Sequence, residues 1–186
     1  MVTSLTGKSI LEIMKAHRGQ CLFSDDGLEL AYEDLAENIE EFGKQLSSID
    51  MENNKICALV LPNGVDMAIS FLALANYVTV SPLNPNYTKE EFLFFLEDLD
   101  CEFIITDNNA SNSLLDAAKQ LKIKLFYLNN YSPKNRLSIK SLSTPSKCLL
   151  DQNKADDICL ILHTSGTTSR PKQVQLSCMN IISSAL

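Results

Sequence analysis

Short apolar segments alternate with longer amphipathic segments through most of this 186-residue chain. Apolar runs typical of buried strands occupy residues 55–61, 78–80, 103–106, 124–128 and 158–162. Helical periodicity fills intervals between them, at residues 65–76, 88–99 and 111–121. Strands that alternate with helices indicate βαβ units, so we predict an α/β fold with a mainly parallel sheet and flanking helices.

The first 50 residues follow a different order. We predict a short helix from Ile10 that stops before Gly19, then a β-hairpin in which residues 21–23 and 28–30 flank a turn. Residues 32–49 carry a narrow apolar stripe, which predicts an amphipathic helix packed on the core. Residues 129–153 are polar and contain two prolines, and they predict a long surface connection inside one domain.

The strand at 158–162 leads into a loop at residues 163–173 that is suited to hold phosphate. Its hydroxyl donors surround Gly166, where a missing Cβ lets backbone N–H groups approach an anion. These donors are Thr164, Ser165, Thr167, Thr168 and Ser169. Arg170 and Lys172 add positive charge, and Pro171 restricts the direction in which Lys172 leaves the loop. The alternative is a polar surface turn.

A Walker loop does not fit this stretch. No second glycine precedes Lys172, and Gln173 follows it where serine or threonine is required. Val174 and Leu176 alternate with glutamines, so we expect the loop to join two strands before Ser177 caps a helix.

Charge and cysteine usage exclude several classes of protein. The net charge of −7 and the pI near 4.8 argue against a nucleic-acid surface, although local donors still allow ATP to bind. Six cysteines without a C-x-x-C pair predict buried thiols in a reducing compartment, hence the cytosol or the peroxisome. We find no signal peptide, and Asp66, Asn76 and Pro82 interrupt the most apolar stretch, so no membrane span is expected.

Residues 163–172, His-Thr-Ser-Gly-Thr-Thr-Ser-Arg-Pro-Lys, resemble the phosphate-binding signature of the adenylate-forming (AMP-binding, acyl-CoA synthetase) enzymes. Ser169 and Gln173 stand where that family more often has glycine, and this form looks most like the oxalate–CoA ligase and 4-coumarate–CoA ligase-like branch. Leu61-Pro62-Asn63 and the segment 82–88 extend the resemblance, whereas Asn76-Tyr77 departs from it. If the backbone at 173 needs a positive φ, glutamine is strained there.

The resemblance implies an ATP-dependent acid–CoA ligase that uses Mg²⁺ and CoA on a small carboxylic acid such as oxalate. It implies that Thr164, Ser165, Thr167, Thr168 and Ser169 contact phosphate, that Gly166 allows close approach and that Lys172 steadies pyrophosphate. It assigns no catalytic residue and no metal ligand within this chain.

The resemblance also covers less than half of a family member. We therefore expect residues 1–186 to be the front part of a truncated N-terminal adenylation domain, inactive alone. The alternative is a non-catalytic regulatory or binding fragment that associates with a full-length enzyme.

Overall fold

The computed structural model describes residues 8–23, 27–49, 51, 55–132, 135–140, 150–164 and 171–184. The helices are α1 Ile10–Ala16, α2 Tyr32–Ser48, α3 Val65–Ala75, α4 Lys89–Asp98, α5 Asn112–Leu121 and α6 Cys178–Ser184. The strands are β1 Gln20–Phe23, β2 Glu29–Ala31, β3 Ile56–Val60, β4 Thr79–Pro82, β5 Phe103–Thr106, β6 Lys124–Asn129, β7 Ser138–Ile139, β8 Ile158–Thr164 and β9 Lys172–Ser177.

Side-chain caps start several of these helices where the sequence offers them. Thr88 and Glu91 form a capping box at α4, with each side chain accepting from the other residue's backbone N–H. Ser9 and Glu12 form a second capping box at α1. These reciprocal bonds satisfy N–H groups that have no partner inside a helix, so they fix where each helix begins.

Seven strands form the main sheet in the order β7-β6-β5-β3-β4-β8-β9. The five central strands run parallel, and β7 and β9 pair antiparallel at the two ends. β1 and β2 form the predicted hairpin as a separate antiparallel pair, and its turn residues 24–26 lie outside the described part of the chain. The predicted α/β fold with a mainly parallel sheet is confirmed.

Helices cover both faces of the sheet. α1, α2 and α3 pack on one face, where Cys57 and Leu59 of β3 join their core. α4 and α5 pack on the other face with Ala58 and Val60 of the same strand. This strict alternation explains why β3 reads as a continuous apolar run, since both of its faces are buried.

The segment around Asn76, which departs from the family pattern, contains a buried polar junction. Asn76 Oδ1 accepts a hydrogen bond from the backbone N–H of Leu11 at 3.0 Å, which joins the end of α3 to α1. β4 then pairs in parallel register with β3, Ile56 opposite Thr79. The strand runs through Pro82, two residues beyond the predicted end. Pro82 is tolerated there because the bond to β3 at this position is donated by the next N–H, from Leu83 to the carbonyl of Leu59 at 3.0 Å.

Part of the described polar connection at 129–153 is docked on the core rather than lying on the surface. Leu137 and Ile139 are buried, and the backbone N–H of Ile139 donates to Gln45 Oε1 of α2 at 2.6 Å. The two residues of β7 extend the sheet beside β6. Sequence polarity did not reveal this docking because the partners are amide side chains buried on α2.

Four of the predicted buried thiols are buried, namely Cys57, Cys101, Cys159 and Cys178. Cys21 is partly exposed, and Cys148 lies outside the described residues. None of the helices that the structure describes is long and apolar enough to cross a bilayer.

Candidate phosphate-binding site

The predicted phosphate loop leaves the sheet at its carboxyl edge, from the end of β8. Ligands of open parallel sheets bind along this edge, because loops rather than packed helices surround the strand ends there. Thr164 ends β8 and Lys172 begins β9, so both flanks of the loop are positioned by strands. Five predicted contacts, Ser165, Gly166, Thr167, Thr168 and Ser169, lie outside the described residues.

Thr164 and Lys172 face each other across the antiparallel ladder between β8 and β9. The Thr164 hydroxyl donates to the backbone carbonyl of Lys172 at 3.4 Å, a long and weak hydrogen bond. Both side chains are exposed. The structure thus brings together the two ends of the predicted site and leaves their polar groups open to solvent.

The face of the hairpin that carries Thr164 and Lys172 also carries two exposed apolar side chains. Leu162 and Val174 form the next cross-strand pair on that face, at 39% and 38% exposure. The prediction that residues 158–162 form a buried strand is therefore wrong at Leu162, since full burial is limited to residues 159–161.

On the opposite face, the hairpin contacts the last turn of α4. His163 Nε2 lies 3.0 Å from Asp98 Oδ2, and the amide of Gln173 donates to the same oxygen at 2.8 Å. The ring of Phe95 packs edge-on against His163 at 4.7 Å between centroids. Sequence reasoning missed this cluster because Asp98 lies 65 residues before His163 and no local pattern links them.

Gln173 lies in a regular part of β9, paired with His163. Among the described residues other than glycine, a positive φ occurs at Asp100 and Lys122 and not at Gln173. The strain that a glycine-requiring backbone would impose on glutamine is therefore not found here.

Apart from the hairpin, a cleft of about 410 Å³ lies at the same carboxyl edge, between the loops that follow β3, β5 and β6. The loop after β3 leads to α3 on one face of the sheet, and the loop after β5 leads to α5 on the other face. The two connections therefore leave the sheet in opposite directions, with the cleft between them. The cleft is lined by Leu28, Leu61, Pro62, Asn63, Gly64, Val65, Asp66, Asp107, Asn130 and Tyr131. Asp66 is already engaged, since its Oδ1 accepts from the backbone N–H of Tyr131 at 2.7 Å.

Residues 13–186 match the family described as AMP-binding enzyme. The chain belongs to this family. An oxalate–CoA ligase of Arabidopsis thaliana is 35% identical over 83% of this chain, and a probable CoA ligase (CCL9) of Humulus lupulus is 32% identical over 83% of it. The chain spans about a third of these relatives, 31% and 30% of their lengths.

Among solved structures, ATP-bound MatB of Rhodopseudomonas palustris superposes with a TM-score of 0.77 over 95% of this chain and 36% of its own. At 21% identity this similarity supports the fold. The AMP-binding assignment expected from His163–Lys172 is thus confirmed, and so is the α/β architecture of the N-terminal part of an adenylate-forming enzyme.

Proposed function

We propose that this AMP-binding chain supplies the phosphate-binding hairpin of an ATP-dependent acid–CoA ligase. In that reaction a carboxylate oxygen attacks the α-phosphorus of ATP, which forms an acyl-adenylate and releases pyrophosphate. The CoA thiol then loses its proton, attacks the acyl carbon and displaces AMP. The observation that carries the proposal is the exposed pair of Thr164 and Lys172, held opposite each other at the carboxyl edge of the sheet.

The chemistry of this pair fits the terminal phosphates of ATP. The Lys172 ammonium is a compact cation with three donors, and the Thr164 hydroxyl can exchange its weak bond to the Lys172 carbonyl for one to an anion. Such fixed donors act by stabilising negative charge as it moves onto the departing pyrophosphate. Magnesium, when bound with ATP, neutralises part of the same charge.

Ser165, Gly166, Thr167, Thr168 and Ser169 complete the proposed contacts between these two flanking residues. The chain's net charge of −7 makes local donors the necessary source of attraction for a polyanion. We place no acid pocket, CoA site or catalytic group within this chain, and we propose that it is inactive alone.

A small carboxylic acid such as oxalate is the proposed substrate class. Support comes from the name of the oxalate–CoA ligase that is 35% identical. The four buried thiols agree with a reducing compartment, and we propose the cytosol or the peroxisome as the location.

Calorimetric titration of the chain with MgATP tests the proposed function. We expect saturable binding in the wild type and at least a tenfold weaker affinity in Lys172→Ala, a loss of about 1.4 kcal/mol or more. Lys119→Ala is the matched control, since Lys119 is also exposed but lies on α5. Equal affinity in Lys172→Ala and Lys119→Ala would contradict the assignment of the hairpin.

A non-catalytic fragment that associates with a full-length enzyme is the second candidate. The exposed pair of Leu162 on β8 and Val174 on the end strand β9 favours it, because exposed apolar side chains beside the edge of a sheet invite another chain. Co-expression with a full-length relative followed by size exclusion tests this candidate. Association that Val174→Lys abolishes would support it, and separate elution of the two wild-type proteins would exclude it.

A further inference from the structure

The last residue of α4 ties that helix to the β8–β9 hairpin through its side chain and its backbone. Asp98 Oδ2 lies within hydrogen-bond distance of His163 Nε2 and of Gln173 Nε2. A carboxylate only accepts hydrogen bonds, so both nitrogens must donate, which places the imidazole proton on Nε2. We refer to Asp98, His163 and Gln173 as the Asp98 anchor.

Gln173 also completes the end of α4. The last carbonyl groups of a helix lack partners within it, and here the carbonyls of Phe95, Leu96 and Glu97 accept from backbone N–H groups just beyond the helix. The carbonyl of Asp98 instead accepts from Gln173 Nε2 at 2.6 Å. An amide from a strand 75 residues later therefore caps the helix.

Local sequence preference does not explain Asp98 at this position. A negative side chain in the last helical turn opposes the helix dipole and is unfavourable there. α4 has no basic residue in its last turn to offset this cost. The two donors from the hairpin supply the compensation, so the residue acts between elements rather than within its helix.

The anchor lies directly beneath the proposed phosphate contacts. Successive side chains of a strand point to opposite faces of the sheet. His163 and Gln173 therefore face α4, and their neighbours Thr164 and Lys172 face the other way. His163 is held firmly, since its side chain is 7% exposed and packs on Phe95.

We propose that Asp98 is a positioning residue for phosphate binding. By joining His163 and Gln173 it fixes the register and separation of the two strands where Thr164 and Lys172 leave the sheet. This proposal rests on the proposed function of the hairpin. The family's commoner glycine at position 173 has no side-chain amide, so the Gln173 donor is a feature of this chain.

Two variants and one control test the Asp98 anchor. Asp98→Asn keeps the shape of the side chain but replaces one acceptor with a donor, and Gln173→Gly removes both amide hydrogen bonds. Gln175→Gly is the control, because it introduces the same flexibility two residues along the same face without removing any of these bonds. The readouts are calorimetric affinity for MgATP and for magnesium pyrophosphate, and hydrogen exchange at the amides of Thr164 and Lys172.

We expect Asp98→Asn and Gln173→Gly each to weaken both affinities about tenfold and to speed exchange at these amides by a similar factor. The double variant should lose no more affinity than the single variant with the larger loss, because both changes disrupt the same set of hydrogen bonds. Gln175→Gly should leave affinity and exchange near the wild-type values.

The outcomes separate the two proposals. Faster exchange with unchanged affinity would overturn the positioning role, because the contacts would then only support the fold. Unchanged exchange and unchanged affinity would show that the Asp98 anchor does not hold the hairpin. A wild-type chain that binds neither probe would overturn the proposed function and the positioning role together, and hydrogen exchange would still report whether the anchor holds the hairpin.

Discussion

Asn153 Nδ2 donates a hydrogen bond to the backbone carbonyl of Ala75 at 3.0 Å. The same nitrogen donates to the carbonyl of Val78 at 3.1 Å, and the backbone N–H of Asn153 donates to the backbone carbonyl of Asn76 at 2.8 Å. The side chain is 4% exposed. A single residue thus satisfies the buried carbonyls where α3 turns into β4 and ties the polar connection to them.

Replacement of Asn153 by aspartate should destabilise the fold strongly. The new side chain has the same size but no N–H donor, so two buried carbonyls lose their partner and face a carboxyl group. Each unsatisfied buried group costs about 1–3 kcal/mol, so for two of them we expect a loss of about 2–6 kcal/mol of unfolding free energy. Urea denaturation monitored by circular dichroism measures it, with Asn130→Asp as the exposed control.

Replacement of Gln45 by alanine should weaken the attachment of β7 to α2, where the bond from the Leu137 N–H to Asn38 Oδ1 remains. The buried N–H of Ile139 then has no acceptor, and we expect the unfolding free energy to fall by about 1–3 kcal/mol. Gln120→Ala makes the same change on an exposed position of α5 and should have little effect. An equal urea midpoint for the two variants would show that β7 is not held by this bond.

The contribution of the Thr88 hydroxyl to the N-terminal cap of α4 can be measured with two variants. Thr88→Ala removes the acceptor for the Glu91 N–H and should cost about 1 kcal/mol, within the range of 0.5–2 kcal/mol for such caps. Thr88→Ser keeps the acceptor and should stay close to the wild type. Thermal unfolding of the three proteins makes the comparison, and equal losses in both variants would argue against the cap.

Cys101 predicts a loss of stability at alkaline pH. Burial raises the pKa of Cys101 to about 11, above the value near 8.5 expected for an unfolded thiol. The folded state therefore holds this proton more tightly, so the contribution is complete below about pH 8.5 and is lost as the pH rises toward 11.

Urea unfolding between pH 8 and pH 10.5 measures this effect against Cys101→Ala. The alanine variant loses packing at every pH, so the change with pH isolates the thiol. We expect the wild type to lose about 2 kcal/mol more than the variant across this range. Parallel pH curves for the two proteins would exclude Cys101 as the titrating group.

The sequence predicted the helices and strands well where one periodicity dominated. β3, β5 and β8 read as strands because they are buried on both faces, and α4 was delimited by its own capping box. Element ends were less certain, as at Pro82 and Thr164, because ladder pairing with a neighbouring strand decides where a strand ends.

The candidate site divides in a similar way. The residue types of the loop and its resemblance to the family signature predicted Thr164 and Lys172 as phosphate contacts, and these remain predictions together with Ser165, Gly166, Thr167, Thr168 and Ser169. Their cross-strand geometry and the Asp98 anchor came from the structure. Nothing near His163 in the sequence indicates that its partner is the last residue of a helix 65 positions earlier.

The sequence by itself determined the α/β class and the family, and it predicted a phosphate-binding role for the loop, because hydrophobic period and a contiguous motif are local properties of a chain. The tertiary structure alone decided which distant polar groups pair, as Asn76 with Leu11, Gln45 with Ile139 and Asp98 with Gln173. The physical reason is that such a bond joins residues far apart in sequence. Its donor or acceptor is satisfied only when packing of the apolar faces brings the two elements together.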